Sequence, residues 1–366
     1  MTDSHADSRG RRELPQQVKA NLFGAVLDAM TDGVMVVDDR MRLVVSNRVL
    51  RDTLVLPPNC HGQALVTLVD HPALLQAFAD VLAGAGPRQV EVNHKAFVAR
   101  VLDVAVVPLP DHDYWGHRAL GVVRDVTERR QTERTQLEFI ANASHELRTP
   151  VASILGWAET LAEAPPRDPG KLAAAHQTIY RHAQRLRTLL DQLLDVSQLD
   201  GERWDLATDA VDLSAVCHAQ CLAQREAAEA AGLSVTVSVP ETLPPVRCDR
   251  QGLDLVVGNL LQNAIKYTPT GGRVELRAES LAQPGTRCVR LAVADSGIGI
   301  AEEHQSRIFE RFYRVDKGRA RHVGGAGLGL AIVAGLVRRM GGTLQLHSAV
   351  GKGSTFLVVL PAGTPS

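Results

Sequence analysis

The chain has 366 residues, and at about 150 residues per domain this length predicts two or three domains. Hydrophobic residues make up 45% and charged residues 22%, which is the composition of a globular protein and excludes a disordered one. The formal net charge of −1 argues against a nucleic-acid binder that works through bulk positive charge, so we expect no nucleic-acid partner.

The cysteine content and the termini indicate the compartment. Five cysteines, without a CxxC pair, favour a reducing compartment over a disulfide framework. The N-terminus is polar, and no uncharged stretch is long enough to cross a bilayer. We therefore expect a cytoplasmic protein with no direct membrane span.

The N-terminal third predicts a flexible tail over residues 1–20 and a small α+β domain over residues 21–127. Two short apolar β-type runs flank the turn at 38–40 and predict a hairpin. The remaining predicted elements are a helix over 72–82 and strands over 97–107 and 120–123.

Helical periodicity dominates residues 128–200, and a proline-rich break at 164–169 divides it into two helices. The second helix carries a heptad seam. Its members are Leu172, His176, Ile179, Ala183, Leu186, Leu190, Leu193 and Ser197. An antiparallel hairpin with apolar surface to spare predicts a homodimer that closes a four-helix bundle.

Residues 208–363 predict an α/β domain. Helices are expected over 213–231, 252–266 and 328–340, and strands over 233–239, 273–278, 289–294, 343–346 and 355–360.

The first motif that carries chemistry lies over residues 139–150. His145 is followed by Glu146, whose carboxylate can accept the Nδ1 proton and leave Nε2 as a nucleophile. Thr149 lies four residues on and shares the helix face of His145, and Pro150 is expected to bend the helix just after the site. The alternative interpretation is a solvated polar turn of a bundle helix.

The second motif, over 259–267, places Asn259 and Asn263 on one helix face, with Lys266 one step further. Amide oxygens and a cation suit Mg²⁺ and a polyphosphate, and the Tyr267 ring can stack on a base. Alone, this motif is more typical of a polar helix face.

Three glycine-rich motifs follow. In the first, Asp295 offers an acceptor for an exocyclic amine beside an open backbone. The second opens a helix and favours anion binding by backbone N–H groups. The third includes Thr355. Neither GxxxxGK[ST] nor GxGxxG fits these segments. The glycine-motif positions we expect at the site are Gly297, Gly299, Gly325, Gly327, Leu328 and Gly329.

Together and in this order, the motifs of residues 128–360 resemble those of bacterial sensor histidine kinases of two-component signalling. Residues 144–150 are similar to the histidine box, 259–267 to the asparagine box, 308–314 to the phenylalanine box, and the three glycine motifs to the glycine boxes. The sequence of residues 139–150 looks most like that of the phosphate-responsive sensor kinases. The resemblance implies a multidomain α+β protein with a PAS-like sensor, a dimeric four-helix bundle and an α/β-sandwich ATP-binding domain of the histidine kinase, gyrase and chaperone type.

The resemblance also implies roles for individual residues. His145 would be the phosphoacceptor, Glu146 the general base, and Thr149 the residue that orients water when the partner is dephosphorylated. ATP and Mg²⁺ would be the cofactors, and a separate response regulator would receive the phosphoryl group on an aspartate.

In the nucleotide site, Asn263 would bind Mg²⁺, Asn259 and Lys266 would lie near the phosphates, and Tyr267 and Asp295 would contact adenine. Gly325, Gly327 and Gly329 would shape the ATP lid. Ala326 stands where the family commonly has threonine, which removes one hydroxyl near the phosphates.

Alternatives stay open at this stage. A degenerate kinase could act as a scaffold, and a gyrase- or chaperone-type ATPase shares the nucleotide fold but lacks a histidine box. The resemblance to PAS, supported by residues 125–128, leaves the sensor ligand unknown. Asn59-Cys60-His61 resembles the cysteine motif of flavin photoreceptors, but Gly62-Gln63-Ala64 follow, so flavin chemistry is not expected. His61, His71 and His94 suggest haem ligands, although surface histidines are expected. Cys217 and Cys221 suggest a metal pair, although helix packing is expected.

Overall fold

The computed structural model describes residues 16–95, 99–110, 116–200, 209–283, 286–315 and 326–363. Most of the expected tail and Gly325 of the expected lid therefore lie outside the described residues. The chain forms two compact units, residues 1–137 and 138–366, and the boundary falls within one long helix.

The first unit contains a five-stranded antiparallel sheet in the order β2-β1-β5-β4-β3. In chain order its elements are α1 (Gln16–Ala29), β1 (Gly33–Asp38), β2 (Leu43–Ser46), α2 (Arg48–Leu54), α3 (Leu65–Leu68), α4 (Pro72–Leu82), β3 (Arg88–Lys95), β4 (Ala99–Leu109) and β5 (Arg118–Asp125). Phe78 of α4 and Met35 of β1 are fully buried in its core. A Cβ at Gly121 would lie 2.6 Å from the Phe78 ring, so the missing side chain lets α4 lie close to β5.

The predicted β1–β2 hairpin and the helix over 72–82 are confirmed. Strand β3 is absent from the sequence prediction. It is an edge strand with mostly exposed polar residues, so no strong apolar alternation marks it.

A helical hairpin follows, formed by α5 (Thr127–Glu163), which contains the boundary at residue 138, and α6 (Pro169–Asp200). The Asp168 carboxylate accepts from the N–H of Gly170 at 2.8 Å and so helps to begin α6. Helix α5 continues through Pro150, which is buried.

The buried stripe of α6 differs from the predicted heptad seam. Ala175, Leu189 and Val196 are buried at spacings of fourteen and seven residues, whereas Leu190 of the predicted seam is 46% exposed. Leu189 and Val196 belong to the same apolar core as the α/β domain that follows. The α/β domain therefore covers one stripe of α6, and much of the expected dimer stripe remains exposed.

The α/β domain places the sheet β11-β12-β10-β9-β7 against helices that share one apolar core with it. Only β7 and β9 pair in parallel among its described strands. The elements are β6 (Asp209–Val211), α7 (Leu213–Ala223), α8 (Arg225–Ala230), β7 (Ser234–Ser238), β8 (Val246–Cys248), α9 (Arg250–Tyr267), β9 (Arg273–Gln283), β10 (Thr286–Asp295), α10 (Glu302–Gln305), α11 (Gly329–Arg339), β11 (Thr343–Ala349) and β12 (Gly353–Pro361).

The helix expected over 213–231 is interrupted at Gln224, where the backbone reaches φ −97° and ψ 3° and a second short helix begins. Strands β6 and β8 form a separate two-stranded sheet that the sequence does not predict, because each has three residues. In the part of the chain that the structure describes, no helix combines the length and the apolar character that crossing a membrane requires.

Candidate active site

Helix α9 supplies the first wall of the site. The Asp249 carboxylate accepts from the N–H of Gly252 at 2.6 Å and caps the helix. One face is buried in the core through Leu253, Val256, Val257, Leu260, Leu261, Ala264 and Ile265. Asn259, Asn263 and Lys266 lie half-buried outside that core face, as the predicted helical spacing requires.

Asn259 lies directly beside the start of α11. Its Nδ2 donates to the carbonyl of Leu255 at 2.9 Å, which directs the amide within its own helix. A Cβ at Gly329 would lie 2.6 Å from Asn259 Oδ1. The glycine therefore permits close contact between the asparagine and the helix N-terminus, where backbone N–H groups attract anions.

Asn263, Lys266 and Tyr267 form the polar edge beyond this contact. Among the described residues, the Asn263 side chain forms no hydrogen bond, so its amide oxygen is available to a ligand. The Lys266 ammonium lies 4.7 Å from the centroid of the Tyr267 ring, which is 41% exposed. This edge offers a cation and a flat apolar face side by side.

Asp295 ends β10, and the segment that follows it forms the second wall, where the N–H of Ile298 donates to the carbonyl of Tyr267 at 3.2 Å. Its Oδ1 accepts from the N–H groups of Gly297 at 2.8 Å and Ser354 at 3.2 Å. Burial raises the pKa of this carboxyl, against the two backbone hydrogen bonds, which lower it. No donor to the other oxygen is recorded among the described residues, which leaves it able to accept from a ligand.

The first and third glycine motifs are brought together here, as a close backbone contact. Gly299 has φ +69°, and a Cβ there would overlap the carbonyl of Ala349. The N–H of Gly351 donates to the carbonyl of Ile298 at 2.8 Å. Thr355 lies on β12, paired with Ala294 just before the aspartate. Glycine is required at 299 because no other residue fits both the backbone angle and the space.

The described part of the expected lid is anchored at Gly327 and Leu328. Gly327 has φ +75°, and its carbonyl accepts from the N–H of Phe312 at 2.9 Å. Leu328 is fully buried at the start of α11. Gly325, the other expected lid glycine of this motif, lies outside the described residues.

His145 is exposed on α5. Thr149 lies on the same face, since its Oγ1 is 3.5 Å from the carbonyl of His145. The expected contact between Glu146 and the imidazole is not present. Glu146 instead accepts from Arg185 Nη2 at 3.2 Å through Oε2, while its Oε1 lies 3.9 Å from Arg314 Nη1.

Sequence reasoning missed the two arginine partners because they come from distant segments. Arg185 lies on α6, and Arg314 is the last residue of the phenylalanine motif at 308–314. A ring contact accompanies the ion pairs: Phe139 of α5 has its centroid 5.5 Å from that of Phe312. The available signal was that Phe139, Phe312 and Arg314 all belong to recognised motifs.

The remaining histidines and cysteines differ in part from expectation. His61 Nε2 lies 2.9 Å from Ser46 Oγ, and the His71 and His94 rings bond each other, so they are not simply solvated. Burial raises the pKa of Cys217 to about 12, in keeping with helix packing. Among the described residues no group of three or more metal-ligating side chains occurs.

Two family models match the chain. The His Kinase A (phospho-acceptor) domain matches residues 135–202, and the histidine kinase-, DNA gyrase B- and HSP90-like ATPase matches residues 248–364. These ranges contain the histidine motif and the asparagine and glycine motifs respectively.

The chain is also similar to individual sensor proteins. It is 27% identical to the sensor protein SrrB of Staphylococcus aureus over 367 residues, which cover 98% of this chain and 60% of the relative. The chain thus spans about three-fifths of the length of that relative.

Among solved structures, the histidine kinase AdeS of Acinetobacter baumannii is 24% identical, with 60% of this chain and 98% of that chain covered and a TM-score of 0.49. The mycobacterial sensor histidine kinase MprB is 32% identical, with 43% and 98% covered and a TM-score of 0.36. With a phospho-acceptor hairpin followed by an ATPase domain of this type, the chain belongs to the sensor histidine kinases of bacterial two-component systems.

Proposed function

We propose that the protein is a protein-histidine kinase that phosphorylates His145 from Mg-ATP and passes the phosphoryl group to an aspartate of a separate response regulator. The observation that carries the proposal is the pair of available acceptors, Asp295 and Asn263, on two walls of one site. They lie in the same compact unit as the exposed imidazole. The match to a phospho-acceptor domain and an ATPase supports the same conclusion.

Nucleotide recognition follows from the chemistry of each wall. The second oxygen of Asp295 accepts the exocyclic amine of adenine, and the Tyr267 ring stacks on the base. Lys266, Asn259 and the N–H groups at Gly327, Leu328 and Gly329 meet the phosphates. Gly297, Gly299 and Thr355 shape the backbone around the aspartate, and we place Gly325 in the same lid.

The site also fits a hard divalent cation. Mg²⁺ prefers oxygen ligands, and the Asn263 amide oxygen has no recorded protein donor among the described residues. Mg²⁺ held there with the phosphates would neutralise charge that develops during transfer.

The phosphoryl step forms a bond between the Nε2 of His145 and the γ-phosphorus and breaks the bond to the leaving oxygen of ADP. Glu146 takes the proton that the imidazole loses. Both of its oxygens lie against arginines in this conformation, so the base must leave Arg314 or Arg185 before it serves His145. We assign Thr149 to water orientation when the partner is dephosphorylated.

The first unit and the exposed stripe of α6 support the remaining parts of the proposal. The antiparallel sheet of the first unit supports a PAS-like sensor, which the motif at 125–128 also favours. The exposed stripe of α6, with Tyr180, Leu190 and Leu194 at 58, 46 and 60% exposure, suits a homodimer of hairpins. The cytoplasmic location, which the free cysteines favour, and the likeness to phosphate-responsive kinases stay predictions.

Incubation of the full chain with γ-labelled ATP and Mg²⁺ tests the proposal. We expect an acid-labile, base-stable phosphoprotein that is lost in His145→Gln and retained in His176→Gln, an exposed histidine of α6. Nucleotide binding without label would favour the scaffold alternative. Label that persists in His145→Gln would overturn the assignment of the phosphoacceptor.

A further inference from the structure

We propose that His71 and His94 form a proton-binding latch through which the first unit responds to acidification. The inference rests on the proposed sensing role of that unit and names the ligand as the proton. Neither residue takes part in the phosphoryl chemistry described above.

The two imidazoles join a helix to the edge of the sheet. His71 Nε2 lies 2.9 Å from His94 Nδ1, with the ring centroids 5.2 Å apart and the planes at 64°. His71 is the residue before α4, and His94 lies on β3. Because β3 is an edge strand paired only with β4, this contact supplies attachment that the sheet does not.

Protonation conflicts with this arrangement. The other ring nitrogen of His94, Nε2, is buried without a hydrogen-bond partner. One N–H is shared between the two facing nitrogens, and a single added proton on the outer nitrogen of His71 preserves that bond. When His94 is protonated as well, both facing nitrogens are N–H donors and neither can accept. The added charge also lies beside the buried Nε2, so the doubly protonated pair disfavours the contact between the two rings.

The charges around His94 act in the same direction. Arg100 on β4 lies directly opposite His94 in the strand register. Burial, then His71, then Arg100 hold the pKa of His94 below its usual value of 6.5. Like charges at directly opposed strand positions destabilise a sheet, so a protonated His94 would repel Arg100.

The neighbouring carboxylates are engaged elsewhere. On α4, Asp80 pairs with Arg88 at 3.4 Å. On β3, Glu91 pairs with Arg130, and on β5, Asp125 pairs with Arg100 at 3.1 Å. Lys95, also on β3, adds another positive charge. Asp70, beside His71, is exposed to solvent.

The sign of the response follows from the lowered pKa. Neutral His94 contributes stability that is fully present above the unfolded value of 6.5 and is lost as the pH falls through the lower folded pKa. The latch is therefore closed near neutrality and opens in acid.

Opening would reach the helix that leads to His145. Arg100 holds the Asp125 carboxylate, whose Oδ1 accepts from the N–H of Thr127 at the start of α5. The N–H of Val101 on β4 donates to Thr127 Oγ1 at 2.8 Å. A displaced β3–β4 pair therefore changes the hydrogen bonds that begin α5.

Hydrogen exchange followed by mass spectrometry tests the latch in the full chain without nucleotide. After correction for intrinsic rates, lowering the pH from about 7.5 to about 5.5 should reduce protection of residues 88–95 and 99–109, by about tenfold for each unit of pKa lowering. His94→Leu, which cannot bind a proton, should abolish this pH effect. His61→Gln, a histidine of the same unit outside the pair, should keep it.

A second variant protects the test against misfolding of His94→Leu. His71→Gln keeps a hydrogen-bonding group but removes the neighbouring imidazole, so the transition should move to higher pH. Equal protection of the wild-type protein at both pH values, or an unmoved transition in His71→Gln, would overturn the proposal. Because no ATP is present, an inactive kinase leaves this result unaffected, and an absent latch leaves the labelling experiment unaffected.

Discussion

Replacing Asp295 with asparagine tests how the site selects adenine. In the wild-type protein Oδ1 accepts from two backbone N–H groups, at 2.8 and 3.2 Å. An asparagine that keeps its carbonyl oxygen on those N–H groups must place its NH₂ where the second carboxylate oxygen lies. That donor then meets the amine of adenine, which is also a donor.

The magnitude follows from the loss of one charged acceptor. A hydrogen bond to a charged group contributes about 1.5–3 kcal/mol. At about 1.4 kcal/mol for each tenfold change, ATP should bind Asp295→Asn roughly ten to a hundred times more weakly. Guanine carries a carbonyl oxygen at that position, so GTP should lose far less affinity and the preference for adenine should shrink.

Calorimetric titration of the full chain with ATP and GTP measures both affinities. Asp254→Asn is the matched control, because Asp254 of α9 accepts from Arg250 of the same helix at 3.3 Å and from Gln220 of α7 at 3.4 Å, and neither partner is a proposed site residue. Unchanged ATP affinity, or an equal loss for ATP and GTP, would refute the role of Asp295 as the adenine acceptor.

The pH dependence of ATP binding provides a second test of Asp295. Burial raises the pKa of Asp295, so protonation begins at a higher pH than for an ordinary aspartate. If the ionised oxygen accepts the adenine amine, as we propose, ATP affinity should fall as the pH is lowered through that raised pKa. The slope should vanish in Asp295→Asn.

Three further predictions concern backbone fit, the base and the phosphatase role. Residue 351 has open space around it but a positive φ, so Gly351→Ala should lower the free energy of unfolding, measured by thermal unfolding, by about 1–2 kcal/mol. Gly299→Ala adds overlap with a backbone carbonyl and should lower that free energy by about 1–3 kcal/mol more. Equal losses in the two variants would contradict this reasoning. Arg314→Gln frees one oxygen of Glu146 from an ion pair worth about 0.2–1 kcal/mol, so labelling should accelerate up to about fivefold, and a slower rate would count against a restraining role. Thr149→Ala should keep autophosphorylation and lose partner dephosphorylation, measured with a phosphorylated regulator; equal loss of both would remove its separate role.

The sequence predicts best what depends on neighbours along the chain. Helix α4 has the predicted bounds, and α9 extends the predicted helix by a few residues, because caps and apolar spacing act locally. Asp295, the proposed acceptor, also lies where the sequence predicts the end of strand β10. Edge strand β3 alternates at only two apolar residues, Val90 and Val92, and this short signal explains why it is missed.

Contacts between distant segments were not predictable in the same way. The predicted seam of α6 includes Leu190, yet Leu189 is the buried neighbour, because the α/β domain packs on that side of the helix. A shift of one residue turns a helix face by about 100°. Periodicity shows that a helix has an apolar stripe but does not say which element covers it.

Glu146 shows that a sequence motif can identify a candidate residue without revealing which side chains it contacts. Its place beside His145 makes it the candidate base, and the sequence alone suggests that the two side chains interact. In the structure Oε2 lies against Arg185 and Oε1 against Arg314, so both oxygens are engaged by cations from two other elements. If Glu146 is the base that we propose, these ion pairs restrain it, and movement of Arg314 or Arg185 away from its carboxylate would end the restraint.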